Sequence, residues 1–369
     1  MRTRRNRNPL ALAAAVLAAL VLTIVAARAD DSAESALGGP FRIRDMTPYN
    51  LLRLEMRPPG VRSPVAGGVE LETSLSYSNT FVMSANVARY LSEREGHGAL
   101  TAADAQAILG LGEDAYYFDG EAALFEATLH YALTDRTSVH LTLAFYSFAG
   151  GFLDSTIEDF HGRFGLDNGG RDLAPRDQLQ FVTSVDGKGA SSFEAPVDGG
   201  FADPVVGIQT SLPLGGSRFK LVLAGEAKIA WRGDRLFLST GANDVGVQAS
   251  LQGMFDRQGI YVGTSLVSTD GRVFGVELAR RVVPTVTLAY EAAVTPWTSV
   301  VVQVYGSESS GRDTDLPEIR ANKYEASLGV RSRRGDVLYG VALTENLKTF
   351  ENTPDIGLAL TLAWLPHQG

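Results

Sequence analysis

The feature that most constrains this chain is the period-two alternation near its end. From Ile356 to Trp364 large apolar residues alternate with small or weakly polar ones, and the run closes on an aromatic. Successive side chains of a strand point to opposite faces. This segment therefore has one face suited to lipid and one suited to a lumen, the pattern of a barrel strand.

The other end of the chain says where such a strand would work. Arg2, Arg4, Arg5 and Arg7 form a positive start, Leu10 to Val25 is an apolar run, and Ala27-Arg28-Ala29 has the small-residue spacing of a cleavage site. These are the zones of a secretory signal peptide. An uncleaved anchor is the alternative, but the run is short of the roughly 20 residues a span needs. The expected division is a signal peptide over 1–29, an N-terminal periplasmic or plug segment over 30–66, and an outer-membrane β-barrel over 67–369. The location implied is the outer membrane of a Gram-negative bacterium, after cleavage near Ala29.

Composition fits that reading. Hydrophobic residues make up 45% of the chain, yet no later apolar run is long enough for a transmembrane helix. Gly accounts for 39 of 369 residues, above the usual share of about 7%. There are no cysteines, which excludes thiol chemistry and thiolate metal sites. The signal holds five of the 33 Lys and Arg and none of the 42 Asp and Glu, leaving 28 against 42 and a net charge of −14. So acidic a chain is a poor nucleic-acid partner.

Alternation recurs throughout. Val69, Leu71, Thr73, Leu75 and Tyr77 oppose Glu70, Glu72, Ser74, Ser76 and Ser78. Blocks at 123–131 and 139–146 follow, then strands near 201–213, 217–231, 243–255, 258–268, 283–294, 298–308, 322–333, 336–346 and 355–364. That makes 12 strands, an even number as bacterial barrels have. Short connections such as Thr134-Asp135-Arg136 and Arg334-Gly335-Asp336 alternate with long ones at 84–115, 150–200, 232–242, 269–282, 309–321 and 347–354. Short periplasmic turns and longer outer loops are a membrane-barrel arrangement, and a soluble sandwich has no reason for it. Val273 to Leu278 reads either as strand extension or as loop. The predicted class is thus all-β: an antiparallel transmembrane β-barrel of about 12 strands, with a short N-terminal segment and a long helical extracellular loop.

Two loops carry helical patterns. Thr101-Ala102-Ala103-Asp104 starts a capping box, with Gly110 as its stop. In loop 150–200, Leu153, Ile157, Phe160 and Phe164 form one apolar stripe, with Asp154, Glu158 and His161 on an adjacent face. The stripe is expected to bury itself against the barrel's outer mouth or loop 84–115, turning the three polar residues to a water-filled side.

At these residues the chain resembles a known family. Gly150-Gly151-Phe152-Leu153-Asp154, Ile157-Glu158-Asp159-Phe160-His161, Phe164-Gly165-Leu166 and Gly169-Gly170-Arg171-Asp172 with Pro175 are similar to a signature of the uncharacterised proteobacterial outer-membrane family known as domain of unknown function 3187. Asp119-Gly120-Glu121, Asn243-Asp244, and Arg42-Ile43-Arg44 with Pro48 are similar too. The resemblance implies a barrel in the outer membrane and supplies no catalytic residues.

Candidate chemistry lies in two places. Loop residues Asp154, Glu158, His161, Arg171 and Asp172 are candidate ligand or gate groups, against the commoner role of a solvated helix face. The lumen-facing set is polar and of mixed charge: Glu70, Glu72, Glu126, His130, His140, Lys220, Glu226 and Lys228, joined by Gln248, Glu291, Gln303, Lys323, Glu325 and Arg331, with Tyr146 and Tyr305. Such an interior is either a salt-bridged plug or a narrow, weakly selective channel. His130 and His140 face each other across a hairpin near Glu126, but a metal would need further ligands that the pattern lacks. Arg42, Arg44, Arg53, Arg57 and Arg62, on the Pro-rich 40–66 segment, complement Glu70 and Glu72 and place that segment in or under the periplasmic mouth. No nucleophile–base pair, phosphate loop or dinucleotide fingerprint stands out. The reading is a narrow or gated channel or binding barrel for a small solute. A lipid-modifying barrel enzyme, or a structural barrel, is the alternative. No cofactor is expected. The partners are outer-membrane lipid, a small-molecule solute and the barrel-assembly machinery.

Overall fold

The computed structural model describes residues 37–165, 167–192, 199–215, 218–235, 237–274, 276–311, 314–347 and 356–366. The signal peptide and its cleavage site at Ala29 lie outside the described residues.

Among the described residues, 12 long strands close into one antiparallel barrel. They are β1 (Val69–Met83), β2 (Ala115–Ala132), β3 (Thr137–Ala149), β4 (Val205–Leu214), β5 (Phe219–Lys228), β6 (Asp244–Phe255), β7 (Gln258–Val273), β8 (Val276–Ala293), β9 (Thr298–Ser307), β10 (Lys323–Arg334), β11 (Val337–Asn346) and β12 (Ile356–Trp364). Each pairs with its sequence neighbours. Closure comes from β1 against β12, in register from Leu71 with Trp364 to Asn79 with Ile356. In a bilayer every backbone N–H and C=O must find a partner within the protein, so a sheet without an edge is what the setting demands.

The alternation sorts the two faces as expected. On β3, Leu141 and Leu143 point outward while His140, Thr142 and Ala144 are buried inside. Val302 and Leu358 are exposed, with Val301 and Ala359 inward. Exposed Tyr131, Phe219, Trp297 and Trp364 ring the end of the barrel that carries the short turns, the position of an interfacial aromatic girdle.

Strand ends depart from expectation where the sheet rises beyond the belt. Residues 269–282 are not a loop. β7 continues to Val273 and β8 begins at Val276, with a register shift at Thr269 and Gly271. Gly271 has φ +103°, and a Cβ there would collide with the Thr240 carbonyl. The bulge bends the hairpin, so its tip, Val273, Phe274 and Val276, is buried over the loop-end mouth. A bulge re-aims a strand in this way. β2 likewise begins at Ala115 rather than 123. Its extension pairs with Gln180–Val185, which forms a hairpin with Lys188–Ser192.

Loop 84–115 holds α1 (Ala85–Glu93) and α2 (Ala102–Leu109). The sequence pattern announced only the second. Both pack Val87, Leu91, Ala105 and Ile108 against Phe81 and Tyr117. Those two residues share a strand face with lipid-facing Leu71 and Leu129, so the helices buttress the outer side of the wall. The capping box of α2 forms: the Thr101 N–H donates to Asp104 at 2.7 Å, and the Asp104 N–H donates to Thr101 Oγ1 at 3.3 Å. Burial pushes the Asp104 carboxyl up. Hydrogen bonds from Thr101 and Tyr90 and the charge of Arg94 outweigh it and hold Asp104 below the ordinary aspartate value.

Two outcomes follow. Leu143→Arg costs about 2–4 kcal/mol of barrel stability, read by denaturant titration in detergent or lipid, whereas Leu143→Ile folds like the wild type; equal stability of the Arg variant would reverse the assigned face. For Asp104, a depressed folded pKa means a contribution present above the ordinary aspartate value and lost as pH falls through the folded one. Hydrogen-exchange protection of α2 in wild type should exceed that of Asp104→Asn at neutral pH, and the gap should close in acid. A gap independent of pH would rule the carboxylate out as its source.

Candidate functional site

The lumen is occupied by residues 38–62, which run in from the turn end, reach the loop end and return. At the base, the Gly38 and Gly39 N–H groups donate to the Glu291 carboxylate at 2.8–3.1 Å, near the turn end of β8. Glu291 also accepts from Tyr261, Ser299 and Arg331. Phe41 is fully buried against the wall. A Cβ at Gly329 or Gly340 would strike its ring, and the Arg331 guanidinium lies 4.7 Å above it. Paired glycines on β10 and β11 therefore cut a socket for one aromatic side chain.

Higher up, Arg42 pairs with Glu72, and Arg44 reaches Glu126 at 3.4 Å. The other Arg44 nitrogen donates to the carbonyls of Leu51 and Arg53 at 2.7 and 2.6 Å, clasping the ascending leg to the descending one. The apex is a single turn, with the Leu51 N–H on the Thr47 carbonyl at 2.8 Å. Asp45 caps this turn by accepting from the Thr47 N–H at 2.8 Å and from Asn50 at 2.6 Å. The Tyr49 hydroxyl meets Thr183 at 2.7 Å, and Ser310 donates to the Tyr49 carbonyl.

The descending leg is held by wall side chains that grip its backbone. Asp244 accepts the Leu54 N–H at 2.7 Å, Lys228 donates to the Leu52 carbonyl at 2.9 Å, and Gln248 donates to that of Met56 at 3.0 Å. Arg57 reaches Glu126, Thr128 and Thr142 at 2.9–3.2 Å. Gln252 holds Pro59 and Gly60, Lys220 holds the Val61 carbonyl, and Arg62 donates to Leu365. A backbone inside a barrel has no ladder of its own, so side chains must satisfy it.

The sequence-nominated lumen residues thus converge on one object. Glu72, Glu126, Lys220 and Lys228 touch the segment directly. His130 and His140 are paired across the hairpin with rings 5.2 Å apart. They sit beside Glu72 at 3.6 Å and Glu226 at 3.2 Å. Glu70 is half-buried at the turn-end mouth with Arg62. Among the described residues no three metal-ligating side chains converge. The polarity pattern alone could not reveal Glu291 as the base anchor or the Gly329–Gly340 socket. A pair of glycines on adjacent alternating strands is the one signal that hints at it.

Above the apex, the loops close the other end. Tyr49, Leu51 and Leu52 join Tyr116, Phe118, Tyr146, Phe181, Phe237, Phe274 and Ile319 in a single apolar cluster.

The loop candidates lie elsewhere. Helix α3 (Asp154–Phe164) forms as the spacing predicts, but it does not turn Asp154, Glu158 and His161 to a lumen. Asp154 and His161 are buried with Ile157, while Phe160 is exposed. Asp154 pairs with Arg171 at 2.6 Å and accepts from Asn79 at 2.9 Å and the Asp177 N–H at 2.7 Å. Arg171 also donates to Asn79 and lies over Phe81. Asn79 and Phe81 are on the outward face of β1, so α3 flanks the wall instead of covering the mouth. The stripe lost because a buried ion pair with its hydrogen bonds is costlier to leave unsatisfied than one exposed Phe. Glu158 meets the exposed Arg176 at 3.0 Å, and Asp172 is exposed.

A closed sheet with an apolar belt and a polar, filled interior defines an outer-membrane β-barrel. The chain belongs to the family described as protein of unknown function DUF3187, which it matches over residues 16–364. None of the curated proteins matches it. Among solved structures, the COG4313 outer membrane channel from Pseudomonas putida F1 is similar, with a TM-score of 0.50 at 14% identity over 84% of this chain and 99% of that one. Weaker likenesses are a Pseudomonas aeruginosa FadL homologue (TM-score 0.38, 9% identity, 89% and 98% covered) and the P. putida toluene transporter TodX (0.37, 10%, 83% and 92%).

Arg171→Ala leaves the Asp154 carboxylate buried and unpaired, a local cost of about 3–5 kcal/mol. Trypsin should then cut at Arg163 and Arg176 several-fold faster, while heat-modifiable migration of the barrel persists. Unchanged cutting would mean the pair does not hold the loop.

Proposed function

We propose that this protein is a narrow, gated outer-membrane channel for a small solute, closed in this state by its own N-terminal segment. The observation that carries the reading is the path of residues 38–62. They fill the lumen end to end, yet the 12-stranded hydrogen-bond network closes without them. The segment is fastened mainly by ion pairs and side chain–backbone bonds, with apolar packing at its apex, at Phe41 and Ile43, and at Leu54 and Met56 against Val267. Buried ion pairs contribute more to register than to net stability, so such fastenings fix a position without making it permanent. The short turns would face the periplasm and the long loops the cell surface, after removal of a signal ending near Ala29 and insertion by the barrel-assembly machinery of a Gram-negative cell.

A second reading has one observation in its favour. Both ends are closed, by the base anchors on one side and the aromatic cluster on the other, which also suits a non-conducting structural barrel.

Planar-bilayer conductance separates the two. Deleting residues 40–60 should raise single-channel conductance well above that of the full chain, and Arg57→Ala with Glu126→Gln should give intermediate openings. A deletion variant that folds and stays silent would refute the channel. A lipase assay on the same preparations tests the enzyme alternative, for which no candidate residues emerge.

A further inference from the structure

The interior segment and the barrel wall carry opposite charge. Residues 38–62 hold five arginines against Asp45 and Glu55, a net charge of +3. Below the Gly271 bulge, most charges that the strands turn inward cancel within the wall. Lys228 pairs with Asp244 at 2.9 Å, Arg331 with Glu291 at 3.3 Å and Arg281 with Glu308 at 3.5 Å, while Lys323 and Glu325 share the inward face of β10. At the turn-end mouth Glu70 is offset by Arg333. Among the described strand residues this leaves Glu72, Glu126 and Glu226 against Lys220, so the wall alone is two charges negative.

Glu72 and Glu126 find their cations on the segment, from Arg42 in one case and from Arg44 and Arg57 in the other. Arg57 has the most completely built seat. Its Nη1 donates to Glu126 at 3.1 Å, and its Nη2 donates to the Thr128 and Thr142 hydroxyls at 2.9 and 3.2 Å. Those hydroxyls meet each other at 2.8 Å, on paired positions of β2 and β3. Glu126 is 2% exposed, Thr128 1% and Thr142 4%. A carboxylate beside two hydroxyls matches the planar fork of donors that a guanidinium presents and an ammonium lacks. A small cavity lined by Pro40, Arg42, Arg57 and Glu72 adjoins the seat. When the segment leaves, the space it vacates there has the size of a guanidinium, and the buried carboxylate loses its partners, a state that is costly to leave uncompensated.

We infer that the released lumen selects cations, and that Glu126, Thr128 and Thr142 form a site for a guanidinium-bearing solute, which takes the place of Arg57. A lumen lined by surplus carboxylates concentrates cations and turns away anions. Glu72, opposite Thr128 across β1 and β2, extends the same carboxylate track toward the turn end. Glu226 adds to it from β5, beside His140 at 3.2 Å. This assignment gives a substrate class to the proposed channel and rests on that reading for transport, whereas occupancy of the seat requires no conduction.

Two measurements test it. The barrel lacking residues 40–60, in a planar bilayer under a KCl gradient, should show a reversal potential of cation-selective sign, and Glu72→Gln with Glu126→Gln in that background should lower the preference for potassium over chloride several-fold. In the full-length chain, Arg57→Ala opens the seat while the rest of the segment stays in place. Calorimetry in one detergent should then show saturable one-to-one binding of methylguanidinium, with the neutral isostere methylurea at least ten-fold weaker, and no binding to the wild type, whose seat is filled. Adding Thr142→Val to Arg57→Ala should weaken methylguanidinium several-fold. The Arg57→Ala titration decides the matter if the deletion variant fails to fold. A zero or anion-selective reversal potential, or methylurea binding as tight as methylguanidinium, would overturn the inference. Methylguanidinium binding by a deletion barrel that never conducts would uphold the seat and refute the channel.

Discussion

The register of β1 against β12 is the constraint on which the rest of this structure depends. Leu71 opposite Trp364 through Asn79 opposite Ile356 removes the last edge of the sheet, and in hydrocarbon an edge is not tolerated. Once that pairing is set, the parity of all 12 strands follows. A slip of one residue would send Glu72 and Ser74 into lipid and Leu71 and Leu75 into the lumen. The same parity also positions the loops: Phe81 and Tyr117 continue the outward face above the belt, so α1 and α2 find an apolar wall on the outside of the barrel and not at its mouth.

Closure creates a second problem, which the interior segment solves. A 12-stranded barrel is wider than the 8-stranded kind that side chains alone can fill and narrower than a 16-stranded porin, so its lumen holds more than the wall residues occupy. The segment that fills it has no strand neighbours, and its N–H and C=O groups must be met one at a time. This is why Glu291 on β8, Asp244, Gln248 and Gln252 on β6, and Lys220 and Lys228 on β5 each hold a backbone atom of the segment. Charge pairing then orders the legs. Glu126 receives Arg44 from the ascending leg and Arg57 from the descending leg, so a single carboxylate fixes how the two lie side by side.

Much of this was legible from residue order. Period-two alternation carries strand identity and face because lipid and lumen reward opposite residue types, and it located all 12 strands. Short turns betrayed themselves through Gly215, Asp256 and Gly335. Where lipid no longer acts, the signal weakens. The rise of β2 from Ala115 occurs above the belt, where both sheet faces are covered by protein, and the β7–β8 hairpin runs on through 269–282 past the reach of lipid, so alternation stops being informative in both. The helix at 154–164 was visible from its spacing, but its orientation was not. An apolar stripe predicts burial only when no buried ion pair competes, and Arg171, ten residues past Phe160–His161, lies too far along the chain for its pairing with Asp154 to be read. The lumen charges were identifiable as a set. That they converge on one returning segment required the path of residues 38–62, which depends on contacts more than 200 residues apart, such as Gly38 with Glu291.

The two ends of the interior segment are fastened by different physics, and this gives the barrel a direction. At the base and along both legs most fastenings are polar, Glu291 on Gly38 and Gly39, Glu72 on Arg42 and Lys220 on Val61, with Phe41, Leu54 and Met56 as the apolar contacts. At the apex they are apolar, with Leu51 and Leu52 held among aromatic rings contributed by the loops. Water entering from the turn end can replace polar bonds one by one at little net cost, because each exchange trades one hydrogen bond for another. The apex has no such exchange, since exposing it returns apolar surface to water. Release of the segment toward the turn end therefore requires the loop cluster to let go of the apex. The Phe274 tip of the β7–β8 hairpin, carried inward by the Gly271 bulge, packs directly on Tyr49 with ring centroids 5.5 Å apart. This contact ties the tip of the β7–β8 hairpin at the loop end directly to the apex of the segment inside the lumen.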